Sequence, residues 1–308
     1  MPTNVLLLRS PSEDGGPDKY EEAFRARGYR PVSVPVLETV HKNLDKLSDT
    51  VRMRGQLPRD STGARYAGVI VTSGRACEAW QTVVRDLSQG SSSSGDTADG
   101  QTWSAIPFYA VGAATASALS SIGTEYPSSP YAPHDIRGGA ESGTAEKLAH
   151  FIVADVARSP AQGSRTLLYL TGDKNRDTLP KILGEGGLEL ESLQVYATQG
   201  STTFEADLQH KLNESAPDTA GPWWIVYFAP SAAKSVSPTI DKYFDSPRTS
   251  GSSSSAKRRA RIAAIGPTTS TFLREELGME VTVVAEKPTP EALSEGIADW
   301  ERNHGLQL

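Results

Sequence analysis

Apolar residues along the chain fall into short runs separated by stretches with helical spacing. Val5–Leu8 is an unbroken apolar run that ends at Arg9-Ser10-Pro11, which predicts a buried strand and a loop. Lys19–Arg27 has helical spacing and stops at Gly28. Val32–Leu37 is apolar but holds Pro35, so it reads as an edge strand or a linker. Ala67–Val71, Ile106–Val111, Thr166–Leu170 and Leu190–Tyr196 read as strands. Arg75–Leu87, Thr115–Ile122, Ala145–Val156 and Leu179–Leu183 read as the helices between them, and the last third repeats the rhythm. Alternating strands and helices imply parallel sheets covered on both faces. Two stretches break the pattern, Ser88–Gln101 and Asp245–Ala256. Both are Ser/Gly-rich, cannot bury a core and are expected to be dispensable surface loops. The basic run Lys257–Arg261 leads into the apolar Ile262–Ile265 and reads as the flank of a buried strand rather than a localisation signal.

The pattern occurs twice. IVTSGRACEA (70–79) matches VYFAPSAAKS (226–235), and AVGAATASALSSIG (110–123) matches AIGPTTSTFLREELG (264–278). GTAEKLAHFI (143–152) matches PTPEALSEGI (288–297). The N-terminal segment up to Thr39 matches LLYLTGDKNRDTLPKILGEGGLELESLQVYAT. Matched segments in one order indicate a duplicated α/β unit.

A chain of 308 residues suits two domains, with ordinary globular proportions of 37% hydrophobic and 22% charged residues. The net charge of −6 argues against nucleic acid as a partner and leaves an anionic ligand to be held by local donors. A single cysteine, Cys77, excludes an internal disulfide, and the five histidines are scattered, so neither a metal nor an organic cofactor is expected. The start lacks the pattern of a signal peptide, and no window is long enough to span a membrane. A cytoplasmic protein without membrane partners is expected.

Candidate chemistry lies in small-residue turns that follow strands and open helices. They hold Thr72 and Ser73, Gly112 and Thr115, and Thr144 in one copy. The other copy has Ser231, Gly266, Thr268 and Thr269. Free N–H groups at helix starts, with Ser and Thr hydroxyls, suit an anion at the carboxyl ends of strands. The alternative for any one turn is a plain N-cap. Recurrence in both copies favours one anion-rich ligand, in the cleft between two similar domains. Arg176, in the Asp173-Lys174-Asn175-Arg176 loop, either pairs with a ligand carboxylate or is a solvated loop residue. There is no P-loop, and Gly184-Glu185-Gly186-Gly187 follows a helix, the wrong setting for a dinucleotide.

At these turns the chain resembles the uroporphyrinogen-III synthase family. The resembling segments are VTSGRACEA (71–79), AVGAATAS (110–117), GTAEKLA (143–149), TGDKNRDTLPK (171–181), LQVYAT (193–198), FAPSA (228–232), AAIGPTTS (263–270) and KPTPEAL (287–293). Two departures are that Ser73-Gly74-Arg75 stands where the family commonly has Ser-Pro-Arg, and Ala229 where it has serine. The resemblance implies an α/β fold of two similar domains, each a parallel sheet flanked by helices, joined by a two-stranded linker. One domain would comprise about 1–37 and 200–308, the other about 41–195, with crossings at 34–40 and 195–200. It adds Arg75, Gly172, Asp173 and Arg176 to the substrate-binding set. It implies dehydrative closure of hydroxymethylbilane to uroporphyrinogen III, with inversion of the last pyrrole through a spiro intermediate. Tyr196 of LQVYAT would be the acid; a packed aromatic at a strand end is the alternative. A monomer that receives its tetrapyrrole from the preceding bilane-forming enzyme is expected. Competing readings are a non-catalytic two-domain binder of a small anion, and a synthase-like regulatory module.

Overall fold

The computed structural model describes residues 2–12, 16–53, 66–90, 103–158, 164–214, 223–245 and 257–305. The chain forms two compact units, Met1–Glu38 with Gln199–Leu308 as unit 1 and Thr39–Thr198 as unit 2. It opens with β1 (Asn4–Leu8), α1 (Lys19–Arg25) and β2 (Arg30–Ser33), then β3 (Leu37–His41). Unit 2 continues with α2 (Leu44–Met53), β4 (Gly68–Val71), α3 (Gly74–Gly90), β5 (Pro107–Val111), α4 (Gly112–Glu125) and β6 (Asp135–Gly139). It ends with α5 (Ala145–Arg158), β7 (Thr166–Thr171), α6 (Thr178–Glu185) and β8 (Glu189–Gln194). After β9 (Tyr196–Gly200), unit 1 resumes with α7 (Phe204–Glu214), β10 (Trp223–Tyr227), α8 (Pro230–Tyr243), β11 (Phe244–Asp245) and β12 (Arg258–Ala264). α9 (Pro267–Glu275), β13 (Val281–Val284) and α10 (Pro290–Asn303) complete it.

The duplication seen in the sequence is a duplication of topology. Unit 2 is a parallel sheet ordered β6-β5-β4-β7-β8. Unit 1 is ordered β12-β10-β1-β2, with β11 and β13 both pairing parallel to β12. Thus β4, β5, β6, β7 and β8 take the places of β10, β12, β13, β1 and β2. The N-terminal β1-α1-β2 supplies to unit 1 what β7-α6-β8 supplies to unit 2. The two passes of the chain between units lie in β3 and β9, which pair as a two-stranded antiparallel ladder.

The middles of the central strands are apolar on both faces because helices cover both. In β1, Leu6 and Leu8 join the core made with α7, α8 and α9, while Val5 and Leu7 join the one made with α1 and α10. In unit 2 the corresponding faces are packed by α2, α3 and α4 and by α5 and α6. The three-helix and two-helix faces therefore recur as well.

The structure departs from the sequence reading in several places. Leu190–Tyr196 is two strands, not one, because the chain turns at buried Val195. Its N–H donates to Thr171 O at 2.9 Å, and its carbonyl accepts from Lys42 N at 2.9 Å. Tyr196 therefore begins a crossing strand. Ser88–Gly90 belongs to α3, and the rest of both Ser-rich stretches, 91–101 and 246–256, lies outside the described residues. The basic run does not precede its strand, since β12 already begins at Arg258. The strand β6 and the helix α2 emerge only in the structure, whereas β3 falls on the crossing expected at 34–40.

Candidate functional site

In each sheet the winding reverses at one point, and ligands of open α/β sheets bind at the carboxyl ends of the strands there. In unit 2 the reversal lies between β4 and β7, in unit 1 between β10 and β1. Each reversal thus has a mouth made by the residues that follow two central strands.

At the unit 2 mouth, β4 runs into Thr72 and Ser73, both half-buried. The Ser73 hydroxyl caps α3, accepting from Ala76 N–H at 3.3 Å. Gly74 and Arg75 are exposed in the first helical turn, where N–H groups have no partner within the helix. Ile70 pairs with Tyr169, which puts the Thr72 and Tyr169 side chains on one face as diagonal neighbours. They are hydrogen-bonded, and burial, only partly offset by that bond, pushes the Tyr169 phenol up. β7 runs into buried Gly172, whose carbonyl accepts from Asn175 Nδ2 at 2.8 Å. The half-buried Tyr196 ring lies directly on Gly172. A Cβ there would stand 2.8 Å from the phenol oxygen and closer still to ring carbons. Asp173 and Arg176 are exposed residues of the following loop.

The neighbouring turns of unit 2 are held from below. Gly112 opens α4 at φ +76°, a left-handed backbone with open space above it. Its N–H donates to the Ser142 hydroxyl at 3.5 Å, and that buried hydroxyl lies 3.0 Å from Ala110 O and 3.1 Å from Gly139 O. Thr144 is exposed and caps α5, accepting from Lys147 N–H at 3.3 Å.

At the unit 1 mouth, β10 runs into Phe228 and Ala229, and exposed Ser231 lies in the first turn of α8. Gly266 precedes α9 in extended backbone, with φ 178°. Thr268 is exposed. Thr289 caps α10, accepting from Ala292 N–H at 3.3 Å.

One expectation is revised. Thr115 and Thr269 were expected to offer hydroxyls to a ligand, but they are only 7% and 3% exposed and lie on the inner faces of α4 and α9. A residue four places into such a turn has rotated towards the core. The accessible donors at these turns belong to Ala113 and Ala114 in one copy and to Gly266 and Thr268 in the other, since Pro267 has no N–H and the Gly112 N–H turns inward to Ser142.

Sequence reasoning did not single out Tyr169, Ser142 or Arg9. Arg9 follows β1 directly and is the unit 1 counterpart of Thr171, since Leu8 pairs with Tyr227 as Leu170 pairs with Val71. Its signal was the abrupt change from four apolar residues to a cation. Cys77 is buried, and burial pushes its thiol up to about 12. Among the described residues there is no cluster of three or more His, Cys, Asp or Glu that could hold a metal, and no helix is long and apolar enough to cross a membrane. What the mouths can supply is an array of anion donors and, beside them, the half-buried phenol of Tyr196, that of Tyr169 being buried.

A family model described as Uroporphyrinogen-III synthase HemD matches residues 18–295. The chain is 26% identical over 303 residues to the uroporphyrinogen-III synthase of Saccharomyces cerevisiae, covering 97% of both chains. It is 26% identical over 300 residues to that of Schizosaccharomyces pombe, covering 97% of this chain and 98% of the relative. Among solved structures it is similar to uroporphyrinogen-III synthetase from Helicobacter pylori, with 15% identity, a TM-score of 0.40 and coverage of 96% and 99%. A mutant uroporphyrinogen III synthase from Thermus thermophilus gives 16% identity, a TM-score of 0.39 and coverage of 98% and 99%.

Proposed function

The chain belongs to the uroporphyrinogen-III synthase family, and we propose that it closes hydroxymethylbilane to uroporphyrinogen III, with Tyr196 as the proton donor and the helix-start turns as carboxylate grips. The observation that carries this reading is the Tyr196 phenol seated on Gly172 at the reversal point of unit 2.

The substrate has an acetate and a propionate on every pyrrole, so it needs many N–H and hydroxyl donors and little bulk positive charge. Thr72, Ser73, Arg75, Gly112, Thr144, Gly172, Asp173, Arg176, Ser231, Gly266 and Thr268 are the proposed contacts, through the backbone N–H groups of their turns where the side chain is absent, engaged or, as at Asp173, itself anionic. The Thr115 and Thr269 hydroxyls are withdrawn from the set, though their turns remain.

In the proposed reaction the phenol protonates the terminal hydroxyl, which leaves as water and gives an azafulvene cation. Ring D attacks that carbon through its own substituted position, forming a spiro intermediate. The bond from ring D to its former neighbour then breaks, and ring closure at the other position completes the inversion. Loss of a ring proton restores aromaticity, so oxidation state is unchanged. The bilane is reactive, so the protein's main task is to hold one conformation through the sequence. Fixed dipoles and a substrate carboxylate stabilise the cation. The reaction so written asks for no metal or organic cofactor. Receipt of the bilane by a monomer, directly from the enzyme that makes it, belongs to the same reading.

Freshly prepared hydroxymethylbilane, with products oxidised and resolved into isomers, tests this. The type III isomer should form faster than the uncatalysed type I. A product that is only type I, at the rate of the blank, would exclude the synthase reading and favour a binder.

A further inference from the structure

We propose that Arg9 is a pre-set carboxylate clamp at the unit 1 mouth, gripping an acetate or propionate of the tetrapyrrole. The proposal rests on the synthase reading and adds a residue and a ligand group to it.

Arg9 follows β1 at the reversal point, beside the carboxyl end of β10. Its guanidinium is held in one place from two sides. The carbon of the fork lies 4.8 Å from the Tyr20 ring centroid and 5.6 Å from that of Phe228, and the two rings meet edge to face at 5.0 Å. Tyr20 is itself tied down, donating from its hydroxyl to Pro288 O at 3.2 Å. Nη1 donates to Asp18 at 2.6 Å. Rotamer freedom, the main cost of using an arginine, is therefore already spent.

Asp18 does not use up the cation. Its carboxylate also accepts from Ser12 N–H at 2.9 Å, Tyr20 N–H at 3.0 Å and Glu21 N–H at 3.1 Å, and so caps α1. Its negative charge is shared with the helix start. Among the described residues Arg9 makes only the one side-chain hydrogen bond, through Nη1, and 21% of its side chain remains exposed. The free N–H groups of a planar fork match a carboxylate in pairs. The structurally equivalent residue in unit 2 is Thr171, buried and without charge, so the clamp is not a feature every copy of this fold requires.

The test uses uroporphyrin III, a stable octacarboxylate, as a fluorescent probe, alongside turnover of hydroxymethylbilane. Arg9→Gln should weaken probe binding about tenfold at low salt. The gap from wild type should shrink in roughly 1 M salt, where a point charge is screened. In turnover the KM should rise about tenfold and the kcat should stay within about twofold. Wild-type affinity in Arg9→Gln, or a loss that persists unchanged in high salt, overturns the proposal. If Arg9→Gln does not fold, Arg9→Lys decides. It keeps a cation for Asp18 but loses the fork, and should bind at least about threefold more weakly; wild-type affinity there overturns the clamp. A wild type that makes no type III isomer would instead sink the synthase reading.

Discussion

At the reversal point of unit 2 stand Thr72, Thr171, Gly172 and, as first residue of its crossing strand, Tyr196. The same places in unit 1 hold Phe228, Arg9, Ser10 and Leu37. The strand order, the helices on each face and the exposure of the Gly112 and Gly266 turns agree between units. The residues at the two mouths differ in kind. One mouth offers a phenol and hydroxyls; the other offers a cation held against aromatic rings. Duplication of a scaffold therefore does not duplicate its chemistry. Residues that fill the shared cores are constrained by packing in both copies, while those beyond the strand ends were free to diverge. On our reading the unit 2 mouth does the proton transfer and the unit 1 mouth contributes grip.

The contrast breaks most sharply at Gly172. Gly172→Ala places a Cβ inside the Tyr196 ring, so the half-exposed ring must swing away. We expect activity to fall about a hundredfold, the scale of a misplaced catalytic group, with a stability loss of only about 1 kcal/mol. Stopped-flow turnover and a denaturant curve check both; full activity would mean that the ring position does not matter. The matching change in unit 1, Ser10→Ala, should leave the rate within about twofold.

The next effect belongs to unit 1. Burial alone would raise Asp18, but Arg9 and the backbone donors hold it below its ordinary value of 3.8. A depressed carboxylate contributes stability that is complete above that value and is lost as pH falls through the lower folded value. Asp18→Asn should therefore cost about 1–2 kcal/mol at neutral pH and flatten the acid limb of the stability curve. An unchanged acid limb would show that the ion pair carries no net stability.

The smallest effect separates two equivalent glycines. Gly112→Ala forces a side chain into φ +76° and should cost about 1 kcal/mol. Gly266→Ala sits in extended backbone with open space and should change stability by less than about 0.5 kcal/mol. Thermal melts of both variants read the difference, and equal losses would contradict it.

Much of this was legible in the sequence, for identifiable reasons. Unbroken runs such as Val5–Leu8 and Ala67–Val71 announce central strands because both of their faces are covered. The repeat was visible because the turns after them demand small residues. β6, Asp-Ile-Arg-Gly-Gly, has one apolar side chain and is a strand only because β5 pairs with it along its whole length. α2 carries only a sparse stripe of Leu44, Leu47 and Val51, too thin to announce a helix. At the site the turns are legible, but the sequence does not show which way individual side chains point, and the Thr115 and Thr269 side chains are buried. Arg9 was noted as the end of a strand and not as a functional group, because its aromatic partners come from residues 20 and 228.

Proton transfer at the unit 2 mouth rests on the Tyr196 phenol. Single-turnover ring closure of hydroxymethylbilane by Tyr196→Phe, with isomers resolved, tests it most directly. Removing one oxygen leaves the ring on Gly172, and stability should move by no more than about 1–2 kcal/mol. We predict that ring closure slows by about ten- to a hundredfold, at or below the low end of general-acid help because this hydroxyl leaves readily, with the type III isomer still the main product. Full wild-type rate and isomer purity would contradict the account, leaving Tyr196 as packing and conformational control as the whole of catalysis.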